Sequence, residues 1–142
     1  MININPYLHF PGNTEEAFHF YKSAFGGEFV IVQRFRDVPG TENMPAADRN
    51  KIMHIALPIG TTGILLMGTD ALESMGHKLT TGNNQYINLN TESKEEADHL
   101  FNKLSAGGKT EVAMKEEFWG AYFGSFADKF GVQWMINYRI KK

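Results

Sequence analysis

Tyr7-Leu8-His9-Phe10, Glu15-Glu16-Ala17-Phe18-His19-Phe20-Tyr21 and Gly26-Gly27 return later in the chain. They come back as Tyr86-Ile87-Asn88-Leu89, Glu95-Glu96-Ala97-Asp98-His99-Leu100-Phe101 and Gly107-Gly108. The offset drifts from 79 to 80 to 81 residues, as small loop insertions would make it. A strand, a helix reading E-E-A-x-H-x-aromatic and a Gly-Gly turn therefore occur twice in the same order, which marks an internal repeat.

Each helix has a start signal. Asn13 with Glu16, and Ser93 with Glu96, have the spacing of a capping box. Ala17, Phe18, Tyr21 and Phe25 then share one helical face, as do Ala97, Leu100, Phe101 and Leu104. The spacing predicts helices over 14–25 and 93–106, ended by the glycine pairs. Strands are expected over 28–35, 52–59, 64–67, 110–118, 121–126 and 132–138, because these runs are rich in β-formers and bounded by turns. Gly63-Ile64-Leu65-Leu66-Met67 answers Gly131-Val132-Gln133-Trp134-Met135. Each half is thus one strand, one helix and three strands, an α+β domain of two βαβββ modules, about 1–70 and 84–142, joined by a linker at 71–83. Residues 36–50 hold two prolines, a glycine and mixed charges, so a mobile connection is expected there.

Composition narrows the function. A chain of 142 residues can bury one sizeable core. A net charge of −2 with no basic stripe argues against nucleic acid or an anionic membrane as partner. With no cysteine, disulfides, thiolate catalysis and Cys-ligated zinc are excluded. No apolar run approaches the ~18 residues of a membrane span. The opening residues lack the charged and apolar regions of a signal peptide, so a cytoplasmic protein is expected.

The run Phe118-Trp119-Gly120-Ala121-Tyr122-Phe123-Gly124, followed by Asp128-Lys129-Phe130-Gly131-Val132-Gln133-Trp134, resembles the FWG…G…D.FG..W block of PhnB-like proteins. Pro6 to Asn13, with Phe20-Tyr21, is similar to their opening. On these residues the chain resembles the PhnB-like branch of the vicinal-oxygen-chelate (glyoxalase/bleomycin-resistance/dioxygenase) superfamily along nearly its whole length. The resemblance implies a glyoxalase-like fold in which each module curls into an open U-shaped sheet holding a ligand, and it implies a homodimer. Metal-using members draw one ligand from the first and one from the last strand of each module. Carried onto this chain, those positions are Pro6, Leu66, Tyr86 and Met135, which is no zinc or iron set. Neither a metal nor a cofactor is therefore expected. Proteins of this kind often carry a demethylubiquinone methyltransferase label, yet no glycine-rich loop follows a strand to open a helix here.

The candidate chemistry rests on few side chains. His54, on an alternating strand, is a candidate general base or ligand-orienting group, and Glu116 a candidate acid–base partner. Tyr7, His9, Phe35, Trp119, Tyr122 and Trp134 are candidates to line an aromatic ligand cup. Each also has a plain reading: a sheet histidine bonded to backbone, a solvated carboxylate at a strand edge, an aromatic of the core. Asp128 reads as a turn residue ahead of Gly131. Two functions follow. One is a small-molecule binding protein without turnover. The other is a lyase, isomerase or dioxygenase of the same superfamily, metal-assisted or acid–base, built around His54 and Glu116.

Overall fold

A computed structural model describes residues 2–140. They divide into two compact units at Thr80/Thr81. The N-terminal unit runs β1 (Tyr7–Phe10), α1 (Thr14–Phe25), β2 (Ile31–Arg34), a one-turn helix α2 (Ala46–Arg49), β3 (Ile52–Pro58) and β4 (Leu65–Asp70). The C-terminal unit runs β5 (Ile87–Thr91), α3 (Lys94–Ser105), β6 (Lys109–Glu117), β7 (Ala121–Ala127) and β8 (Gln133–Arg139). The sheets are ordered β1-β4-β3-β2 and β5-β8-β7-β6. In each, the first strand lies parallel to the last and the other pairs are antiparallel. Both units are therefore βαβββ, with α2 set into the long connection of the first. No helix among the described residues is long and apolar enough to cross a membrane.

Each helix covers one face of its own sheet. Ala17, Phe18, Tyr21 and Ala24 of α1 are buried, and a Cβ at Gly68 of β4 would stand 2.5 Å from the Phe18 ring. Phe10, Phe18 and Tyr21 meet edge-on or tilted, with Phe18 and Tyr21 centroids 5.5 Å apart. In the second unit Ala97, Phe101 and Leu104 are buried, Phe101 lies 5.0 Å from Phe126, and Gly124 leaves room for the Phe101 ring. Strand side chains alternate between faces. The residues flanking Gly68 and Gly124 in each strand therefore point to the other, helix-free face.

The caps differ from expectation at one end. Ser93 Oγ accepts from Glu96 N at 3.0 Å, and Glu96 reaches back to Glu92 N at 3.0 Å. Asn13, however, makes no side-chain cap bond. Asp70 replaces it: Oδ1 accepts from Thr14 N and Thr14 Oγ1 at 3.0 and 2.6 Å, and Oδ2 accepts from Ile52 N at 2.8 Å. One buried carboxylate thus ties the start of α1 to β3. Asp128 does related work in the second unit. Its Oδ1 takes the N–H groups of Phe130 and Val132, and its Oδ2 takes the Trp134 indole N–H at 2.8 Å.

Strand β2 is shorter than the expected 28–35, and its register shifts at Gln33/Arg34. The 36–50 stretch carries local structure that its composition does not announce. Besides α2, Thr41 Oγ1 donates at 2.8 Å to the carbonyl of Phe35 or of Val38, and Ser74 Oγ donates to Asp48 at 2.6 Å.

Candidate functional site

On the helix-free face of the N-terminal unit, β1 and β3 flank β4. Tyr7 pairs in register with Met67, and Ala56 does so from the other side. The Tyr7 side chain crosses β4, and its hydroxyl meets His54 Nδ1 at 3.1 Å. The two rings stack with centroids 5.6 Å apart and planes 21° from parallel. His9, two residues along β1, lies 5.7 Å from Tyr7 at 51°. Alternation along a four-residue strand puts Tyr7 and His9 on one face, and antiparallel pairing brings in His54.

Burial raises the Tyr7 phenol above its ordinary range, so the hydroxyl keeps its proton at neutral pH. A protonated phenol and a neutral imidazole can bond in two ways. If the phenol donates to Nδ1, His54 Nε2 carries a hydrogen and is a donor. If Nδ1–H donates to the phenol, Nε2 is an open acceptor. In either state Nε2 is the atom left to meet a ligand, and interchange of the two moves a proton. Tyr7 is 44% exposed, so the stack is open to solvent on one side.

The other candidates do not join this cluster. Phe35 is buried in the core, where a wall residue of an open cup was expected. Trp134 is 1% exposed with its indole held by Asp128. Tyr122 donates to Asp98 of α3 at 2.6 Å, and that bond raises its phenol pKa. Glu116 forms an ion pair with Lys94 of α3, whose ammonium also sits 5.3 Å from the Tyr122 ring centre. Tyr122 and Glu116 are register partners on the face that bears α3, and the neighbouring Glu117 takes the helix-free face. Glu116 and His54 belong to different units. Trp119 stands with Phe118 at the tip of the β6–β7 hairpin, 56% and 95% exposed, and touches Phe123 with centroids 6.2 Å apart.

Residues 3–136 match the profile of the Glyoxalase/Bleomycin resistance protein/Dioxygenase superfamily. The chain belongs to this superfamily. Within it the likeness is to PhnB-like proteins. Protein YjdN of Escherichia coli is 32% identical over 94% of this chain and 93% of its own length. The crystal structure of PA1353 from Pseudomonas aeruginosa is 38% identical, covers 99% of this chain and all of its own, and superposes with a TM-score of 0.86. A Bacillus cereus structure, described as a putative 3-demethylubiquinone-9 3-methyltransferase, PhnB protein, is 28% identical with a TM-score of 0.77. The alignment spans 96% of this chain and 99% of that one.

The metal-ligand positions of the superfamily can now be set in register. Leu66 is buried against the helix side, so the β4 residue on the helix-free face is Met67 and not Leu66 as expected. Met67 pairs with Tyr7, and its equivalent Met135 pairs with Asn88. Tyr86, at the edge of the second unit, donates to the Glu111 carboxylate at 2.9 Å. In neither unit do these pairs, a phenol with a thioether or an amide with a thioether, fit a zinc or iron(II) ion. Among the described residues no three His, Asp or Glu side chains converge.

A cavity of about 220 Å³ lies on the other side of the N-terminal sheet, lined by Glu15, Arg34, Asn50, Lys51 and Asp70. Its charged side chains already have hydrogen-bond partners. Arg34 grips both oxygens of Glu15 at 3.0 and 2.6 Å, and Lys51 donates to Gly12 O at 2.9 Å. Through this bond, and then through its charge, Arg34 holds the Glu15 carboxyl below its ordinary range. Folding thus favours the ionised form. That gain is present above the ordinary carboxylate range and is lost as pH falls through the depressed value. Glu15 is 46% exposed, so solvent screening keeps the gain small.

Proposed function

We propose that this superfamily member binds a small organic ligand on the helix-free face of its N-terminal unit. Tyr7 and His9 provide the aromatic wall, and His54 Nε2 makes the orienting hydrogen bond. The observation that carries the reading is the Tyr7–His54 bond, which engages Nδ1 of the imidazole and leaves Nε2 as the ring nitrogen available to a ligand. The ligand this geometry suits has a planar apolar part to stack on Tyr7 and an oxygen to meet Nε2. Acid–base turnover is the second reading, favoured by the same bond, because the pair can pass a proton to a bound carbonyl compound or take one from it. Methyl transfer is not part of the proposal. The connections into α1 and α3, residues 11–13 and 92–93, are not glycine-rich loops.

A thermal-shift screen of planar aromatic ketones and carboxylic acids checks this. Hits that bind the native state raise its melting temperature. They should lose at least tenfold in affinity in His54→Ala, and severalfold in Tyr7→Phe, which keeps the ring but not the hydroxyl. Hits that bind both variants as well as the parent protein would remove the reading.

A homodimer belongs to the same proposal. Val30, Ile31 and Val32, at the open edge strand β2, are 61%, 38% and 44% exposed, and two-fold pairing is the commonest way to cover such an edge. Light scattering at micromolar concentration should give twice the chain mass of 16.0 kDa. A monomer mass would overturn it.

A further inference from the structure

The 220 Å³ cavity beside the start of α1 is lined by two cations and two carboxylates, and the four are not equivalent. Arg34 and Glu15 are an ion pair, closed at 2.6 Å. Lys51 and Asp70 belong to no ion pair among the described residues. Lys51 Nζ donates to a neutral group, the Gly12 carbonyl, and Asp70 accepts only from the N–H and O–H groups of Thr14 and Ile52. An ammonium has three N–H donors, so two of those on Lys51 are unspent. The Glu15 oxygens each have a lone pair beyond the one given to Arg34.

The Lys51 ammonium is held in place. Its main chain is fixed at both ends, because Lys51 N donates to Asp48 O at 3.0 Å and Lys51 O accepts from Phe35 N at 3.1 Å. Its stem lies against the connection into α1, where a Cβ at Gly12 would stand 3.5 Å from Nζ. The two segments that close the cavity also hold unmet polar demand. Asn13 Oδ1 and Arg49 Nε are buried with no hydrogen-bond partner. A simple anion drawn to Lys51 would be brought beside the Asp70 and Glu15 carboxylates, and a simple cation drawn to those would be brought beside Lys51 and Arg34. A molecule that carries both charges meets an opposite charge at each end. The volume is below the roughly 300 Å³ at which pockets take drug-sized ligands, so that molecule has few heavy atoms.

We infer that this cavity is a second binding site, for a small zwitterion of the α-amino acid type, its carboxylate on Lys51 and its ammonium toward Glu15 and Asp70. The inference does not rest on the Tyr7–His54 reading, and either can fail alone. The test is a titration of the isotope-labelled full chain with glycine, and with acetate and methylammonium as its two charged halves, at constant ionic strength. The backbone amide signals of Gly12, Glu15, Asn50 and Lys51 are followed. Glycine should move these signals, and each half should bind at least tenfold more weakly. Lys51→Met, which keeps the stem and removes the charge, should cost at least tenfold, while Lys51→Arg should stay within severalfold. Ala47→Leu, which adds bulk at the lining and leaves every charge, should weaken binding as much as Lys51→Met. Tyr7→Phe should leave glycine binding unchanged. No shift at the highest soluble glycine concentration would overturn the inference and leave the cavity as a solvated crevice. Acetate or methylammonium binding as well as glycine, or undiminished binding in both Lys51→Met and Ala47→Leu, would overturn it as well.

Discussion

Gly108→Ala is expected to cost about 3 kcal/mol or more in folding stability, at the upper end of overpacking effects. A Cβ at this position would stand 2.1 Å from the Ala127 carbonyl oxygen and 2.9 Å from the backbone of Asp128. Both are main chain, held by the Lys109–Ala127 pairing that opens the β6–β7 ladder, so neither can swing aside. The neighbouring Gly107 is a useful control. Its φ is +76°, and its added Cβ would meet only the flexible Lys129 side chain, at 3.3 Å. Gly107→Ala should cost about 1 kcal/mol, for the left-handed backbone alone. Chemical denaturation of the two variants decides the matter, and equal losses would show that the Gly108 contact relaxes freely.

The second large effect is expected at Asp70. Asp70→Ala removes the acceptor of three hydrogen bonds and leaves the Thr14 and Ile52 N–H groups buried without partners. At about 1–3 kcal/mol for each orphaned donor, the loss should reach about 3–5 kcal/mol. Asn13→Ala should stay within about 0.5 kcal/mol, because the Asn13 side chain makes no cap bond to α1 and its backbone carbonyl, which accepts from Ala17 N, is kept. Paired melting curves give the test, and a cap-sized loss at Asn13 would contradict the assignment.

That contrast shows what the sequence could and could not convey. The repeat, both long helices and the alternation that joins Tyr7 to His9 are local patterns, and all were readable. Asp70 lies 56 residues from Thr14, at the start of the helix it caps, so no local signal betrays it, while Asn13 has the right type at the right place and its side chain makes no cap bond. Gly107 and Gly108 look alike as letters; only the β6–β7 approach separates a conformational glycine from a steric one. Strand β6 shifts register twice, between Thr110 and Val112 and between Val112 and Lys115. Counting by twos along it therefore loses the face, and a carboxylate expected in the cup lies beside α3. Tyr122 and Trp134 were ambiguous for another reason: an aromatic suits a pocket wall and a core equally. Their hydroxyl and indole donate to Asp98 and Asp128, pairings that no local pattern in the sequence announces.

The strand orders have a consequence for how each sheet is assembled as the chain is made. In both units the strand that comes last in sequence, β4 or β8, lies inside the sheet, between the first strand and the third. The first strand therefore has no neighbour to pair with until the final strand of its unit exists. A partly synthesised unit can close only antiparallel hairpins, β2 with β3 or β6 with β7, while β1 or β5 waits unpaired. Such separation of partners along the chain slows folding, and here it makes closure of each sheet the last event rather than a gradual one. The N-terminal sheet can close once Asp70 has left the ribosome. The C-terminal sheet must wait for the stretch up to Arg139.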